Sequence, residues 1–170
     1  VKLVPLSVDK HLDAWQRNAF DAVVSYEPVA SELLARGAHK LFDSRQIPNT
    51  IIDVLAMRTD LLDSHASAIR HLVQSHFKAL DHLKRNPQDA AYRMANHLKL
   101  KAADVLPAFK GLVLPDAANN QRLLAGTTPE LLVTARKLSA IMVKNQLLKE
   151  DDSLNSLIRA DFLPTVVQGR

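Results

Sequence analysis

The chain contains no cysteine, which excludes disulfide cross-links and thiolate chemistry. Its glycines are only Gly37, Gly111, Gly126 and Gly169. Spaced this widely they cannot form a glycine-rich phosphate loop, which argues against a kinase, an NTPase or a Rossmann dehydrogenase. No run of eighteen apolar residues is present, so no segment reads as a transmembrane helix. A basic leader with an apolar core is missing too. The chain opens at Val1 inside an apparent strand, so its start reads as a cut and the missing leader is silent about export. No four basic residues stand in a row. The net charge of +4 and pI near 9.5 therefore describe a mixed, solvated surface and not a nucleic-acid patch.

What is present is an ordinary globular composition. The 170 residues suit one domain with a substantial core, and 47% hydrophobic with 24% charged residues fits a soluble fold. The first 44 residues alternate between strand and helix patterns. Lys2 to Val8 reads as a strand and Asp9 to Phe20 as a helix, with Leu12, Trp15, Ala19 and Phe20 near one face and Asp9 as N-cap. Asp21 to Tyr26 reads as a buried strand around Ala22, Val23 and Val24. Glu27-Pro28 then opens a helix, because proline's φ suits a first helical position. That helix stops at Gly37, and His39 to Phe42 reads as the next strand. Right-handed βαβ connections would make this a parallel sheet.

Arg45 to Asn49 reads as a linker, and the β-branched run Thr50 to Met57 as a further strand. Beyond it the chain reads as helical. A long helix is expected from Leu61 to Arg85, with Ile69, Leu72, Val73, Leu80 and Leu83 on its apolar side. Lys84 and Arg85 at its end suit the helix dipole. Others follow from Asn86-Pro87 to Leu98, Ala102 to Leu112, within Asp116 to Leu124, Pro129 to Leu148, and Ser153 to Arg159. No fixed-period repeat appears, and unequal segment lengths argue against tetratricopeptide pairs.

The expected strand–helix–strand unit puts Ser25, Tyr26 and Glu27 at the carboxyl end of a strand, where open α/β sheets bind ligands. Tyr26 offers an aromatic face and a hydroxyl, Ser25 a hydroxyl, and Glu27 an acceptor that also pairs with cations. Helix-start amides near Glu27 and Val29 favour an anion. Glu27 argues the other way, toward a neutral or partly cationic ligand such as a pyrimidine or amine-bearing compound. A plainer reading stands beside these: Glu27 complements the helix dipole and Tyr26 is ordinary core.

Residues Asp21 to Ser44, "DAVVSYEPVASELLARGAHKLFDS", followed by "IPNTIIDVLAMR", resemble the later half of solute-binding proteins of nitrate/sulfonate/taurine-type ABC transporters. The resemblance is strongest from Val8 to Arg58 and extends more weakly to about Val166. It implies an α/β fold, the C-terminal half of a two-lobed type II periplasmic-binding-protein fold, helix-rich after residue 58. Residues 1–44 would belong to the second lobe, 45–50 to the hinge crossover, and 51–170 would complete the first lobe. It implies a periplasmic, non-enzymatic importer component that captures a small organic or anionic ligand at Ser25, Tyr26 and Glu27 and delivers it to a membrane permease. No cofactor, metal or nucleic acid is expected. A missing N-terminal half or another chain would cover the exposed sheet, since a large bare apolar face is rare on monomers. Two alternatives share the expected fold: a sensor input domain, and a pyrimidine-precursor enzyme of thiamine biosynthesis.

The remaining motifs point to no chemistry. His65, His71, His76 and His82 follow one another at spacings of six, five and six, never the three or four that sets two imidazoles on one metal. Packing is the expected role of His65 and His76. Ser153 and Ser156 lack the surroundings of a nucleophile, and Asp151-Asp152 reads as a solvated loop.

Overall fold

A computed structural model describes residues 1–150, 154 and 156–165. The last-helix expectation falls partly outside them, as do Ser153, the Asp151-Asp152 pair and Gly169. Seven α-helices are present among the described residues: α1 (His11–Gln16), α2 (Val29–Ala35), α3 (Ala66–Arg85), α4 (Pro87–Leu98), α5 (Ala102–Ala108), α6 (Ala117–Leu124) and α7 (Glu130–Lys144). Single 3-10 turns cover Val8–Lys10, Ser44–Gln46 and Thr59–Leu61.

The expected α/β fold is overturned. Among the described residues there is no strand, so the parallel sheet expected over residues 1–57, and with it the two-lobed α/β half-fold, is absent. The segments that looked like strands run without ladder hydrogen bonds, and their apolar side chains face outward. Leu41 is 85% and Ile51 70% exposed, with Leu3, Val24, Ile52, Val54 and Leu55 also exposed. The physical reason is non-locality. A strand pattern supplies half of each hydrogen-bonded pair, and no facing strand completes it here. Helices complete their hydrogen bonds within themselves, and most of those segments form close to where their patterns placed them, some of them shorter.

The chain divides into two compact units. The first comprises Val1–Asp43 with Gln88–Leu112. Within it α1 packs against α2, and their buried residues are His11 and Ala14 on α1 and Leu33 on α2. The expected face of the first helix is therefore displaced: Ala19 is exposed, while Trp15 and Phe20 pair with ring centroids 6.1 Å apart. Asp9 is not the cap but lies inside the 3-10 turn, its carboxyl held below the ordinary range by the Ser7 side chain. The second cluster of this unit joins α4 and α5. Ala91, Ala95 and Val105 form its buried centre, with Met94, Leu100, Ala102, Leu106 and Phe109 packed around it. Val105 is 0% exposed.

Two helix ends in this unit show how local sequence sets local geometry. After α2, the Gly37 amide donates to Leu34 O at 3.1 Å and the Ala38 amide to Leu33 O at 3.0 Å. This paired pattern needs a left-handed residue, and Gly37 supplies φ +95° without a Cβ penalty. After α4 the same pattern recurs without glycine. Lys99 takes φ +57°, while the Leu100 amide donates to Ala95 O at 3.0 Å. Leu100 then packs on the Ala95 cluster, the apolar contact that accompanies such ends.

The second unit comprises Ser44–Pro87 with Val113–Arg170. Its long helix α3 buries Ile69 and Leu80, whereas Leu72 stays exposed, so the apolar side is narrower than its pattern predicts. Helix α6 packs on α7 and starts at Asp116, whose side chain accepts from the Asn119 amide at 2.9 Å. Lys84 at the end of α3 reaches Asp116 at 3.8 Å, and Arg122 of α6 reaches Glu130 of α7 at 2.7 Å. The segment around Phe162 lies against α3. The Phe162 ring is buried between the guanidinium groups of Arg70 and Arg159, at 5.1 and 5.4 Å, and Arg70 also donates to Asp161 O. The helix expected through Arg159 does not appear at the described positions, because Leu154 and Ser156 take φ of +54° and +60°.

Candidate functional site

The region around Ser25 is built from the turn into α1, the coil before α2, and the first turn of α2. Its organising residue is His11, one of two buried polar residues among those described and 4% exposed. Its Nε2 lies 3.2 Å from Leu6 O and its Nδ1 3.1 Å from Ser25 Oγ. A buried imidazole pays a desolvation penalty unless both nitrogens find partners, and here both do. The ring ties three stretches together: the chain before α1, α1 itself, and the coil that carries Ser25. Sequence reasoning passed over His11, whose signal was faint. It is a polar residue one turn from Ala14 on a short helix, and its partner lies fourteen positions away.

Tyr26 and Glu27 follow Ser25 on the outer surface. Tyr26 is 66% exposed, which removes the plain reading of this ring as core. Glu27 is exposed as well, and its Oε2 accepts from the Ser31 backbone amide at 3.1 Å. The plain reading of Glu27 as a partner of the helix start is therefore correct as far as its hydrogen bond goes. Of the amides around the expected anion position near Glu27 and Val29, three are taken up by the chain itself. Ala30 N–H donates to Tyr26 O, Ser31 N–H to Glu27, and Glu32 N–H to Pro28 O. Helix α2 has seven residues, and three of the amides at its start, Ala30, Ser31 and Glu32, are engaged within the chain. Pro28 sits one position earlier than expected, at the N-cap with φ −85°, and the Glu27–Pro28 peptide bond is cis.

The three residues expected at a ligand site are thus consecutive on one stretch, half-buried at Ser25 and exposed at Tyr26 and Glu27. They lie on coil and not at the end of a strand.

Elsewhere the candidate residues do not converge. His65 and His76 are exposed, not packed. His65 Nδ1 lies 2.8 Å from Ser64 Oγ, and His76 meets the Phe77 ring edge-on at 5.2 Å. Among the described residues no three His, Cys, Asp or Glu side chains gather as a metal site. A shallow groove of about 370 Å³ lies along α3, lined by Gln74, Phe77, Lys78, Asp81 and Pro164. No helix among the described residues is long and apolar enough to cross a membrane.

The model of the NMT1-like family matches residues 1–99, more than half of the chain and all of the Ser25 region. The chain belongs to the NMT1-like family. This is the nitrate/sulfonate/taurine-binding family whose pattern the residues from Val8 to Arg58 resemble, and membership makes the chain a ligand-binding protein of that family. No curated protein and no solved structure matches this NMT1-like chain.

Proposed function

We propose that this NMT1-like protein is the solute-binding component of an ABC importer, working in the periplasm beside a membrane permease and releasing its solute chemically unchanged. The observation that supports this is the run Ser25-Tyr26-Glu27. A half-buried hydroxyl is followed in the chain by an exposed aromatic ring and an exposed carboxylate, and the buried His11 and the start of α2 hold their backbone in place. An aromatic face flanked by polar groups is the usual make-up of a small-molecule site. Small solutes are captured by such groups without a bond being made or broken.

The test is titration of the chain with nitrate, taurine and benzylamine, followed by calorimetry and by amide resonances. At least one probe is expected to shift the signals of Ser25, Tyr26 and Glu27. Glu27→Ala should weaken that probe about ten- to a hundredfold, the equivalent of one hydrogen bond to a charged group. If no probe moves those three signals, or if Glu27→Ala and Tyr26→Ala bind as the parent does, the stretch is scaffold alone.

A further inference from the structure

We infer that His11 is a positioning residue that fixes Ser25 as a hydrogen-bond acceptor, so that the site selects a ligand bearing an N–H or ammonium donor over one bearing only an anionic head. The inference rests on the proposed ligand site and specifies its chemistry.

The argument runs through the tautomer of one ring. Leu6 O is a carbonyl and can only accept, so the His11 Nε2 facing it at 3.2 Å carries the hydrogen. In a neutral imidazole the other nitrogen is then bare and accepts. Ser25 Oγ, 3.1 Å from Nδ1, must donate its single hydrogen there. What Ser25 has left for a ligand is lone pairs. At 4% exposure the His11 ring has little water to turn to, so its Nδ1 depends on the Ser25 hydroxyl for a donor.

The neighbours point the same way. Glu27 is a carboxylate and offers only acceptors. Three amides at the start of α2, those of Ala30, Ser31 and Glu32, are already bonded, which leaves few backbone donors beside the two side chains. Two acceptor groups that flank an aromatic residue in the sequence suit a cationic or N–H-bearing head with an apolar tail. Nitrate and sulfonate heads present acceptors only, and would meet lone pairs with lone pairs.

The experiment uses the full chain at pH 8 and has two parts. Nitrogen-15 spectra of the labelled histidines report the tautomer of His11, assigned by its loss in His11→Phe. Benzylamine and benzenesulfonate, which share a ring and differ in head group, report the preference. The expected result is a His11 carrying its hydrogen on Nε2, and benzylamine binding at least tenfold more tightly than benzenesulfonate. In His11→Phe the freed Ser25 hydroxyl can donate, so that preference should narrow about three- to tenfold, the worth of one ordinary hydrogen bond.

A hydrogen found on Nδ1 overturns the inference. So does equal or tighter binding of benzenesulfonate at Ser25 to Glu27, although that result leaves the site itself standing. An unchanged preference in folded His11→Phe also overturns it. If that variant does not fold, the hydrogen position is assigned in the parent from coupling to Leu6 and Ser25, and with the parent's preference it decides the matter. Failure of both probes to move the three signals overturns the site and the inference together.

Discussion

The Glu27 carboxylate meets the Ser31 amide at 3.1 Å, so the one acidic group of the candidate site also closes the first turn of α2 behind it. A single side chain thus serves the scaffold and faces solvent where a ligand would approach. The two roles separate chemically, because the hydrogen bond needs an acceptor oxygen whereas attraction of a cationic head needs the charge.

Glu27→Gln keeps an oxygen for Ser31 and removes the charge. Its melting temperature should stay within a degree or so of the parent, while benzylamine binding weakens. Glu27→Ala should lose both, with stability falling by about 1 kcal/mol, or about 2–4 °C for a chain of this size. Calorimetric melting and titration of the two variants distinguish the roles. Equal melting temperatures for Gln and Ala would show that the Ser31 bond carries no stability.

Lys99 holds a left-handed conformation at the end of α4, where its Cβ is disfavoured. Lys99→Gly should therefore stabilise the chain by about 0.5–1 kcal/mol, an unusual direction for a substitution to glycine. Urea denaturation read by circular dichroism checks it. A loss of stability would mean that the Lys99 side chain contributes more than its backbone costs.

Phe162 meets Arg70 of α3 at 5.1 Å and so fastens its segment there, while Arg159 of the same segment lies 5.4 Å from the ring. Phe162→Ala should cost about 3 kcal/mol, and should speed amide exchange around Ala160 to Leu163 before it affects α4 and α5. Protection lost evenly over the whole chain would show that the ring is not a local fastening.

Asp116 has its carboxyl held below the ordinary range, chiefly by the Asn119 backbone amide, then by the Asn119 side chain, with Lys84 adding a smaller attraction. A group depressed in the folded state stabilises it above the ordinary carboxylate range, and that help fades as pH falls through the lower folded value. The Asp116 carboxyl signal should therefore titrate below the ordinary range. The start of α6 should loosen only at strongly acidic pH. Asp116→Asn keeps an acceptor for Asn119 and should remove this part of the acid dependence. A midpoint in the ordinary range would contradict the cap as drawn.

What was legible in the sequence were features whose causes lie within a few residues. The helix that became α3 was visible in its period, and the stop after α2 in Gly37. Helical hydrogen bonds span four residues, so a short window contains both partners. The family pattern around Asp21 to Ser44 was legible for the same reason, being an ordered set of neighbouring residue types, and it is this region that the NMT1-like match contains.

The sequence by itself therefore determined where most of the helices lie, the glycine stop after α2, and the family. Only the tertiary structure decided the rest. Ile51 to Met57 has a strand's composition, but a strand exists only when another segment supplies the opposite donors and acceptors, and no window of sequence shows that the partner is missing. Ser25 was picked out by its place beside Tyr26 and Glu27. That its hydroxyl faces a buried His11 depends on how α1 packs against α2, because the contact joins residues fourteen positions apart across a chain reversal. Bonds that close locally are written locally, and those that close through packing appear only when the chain is folded.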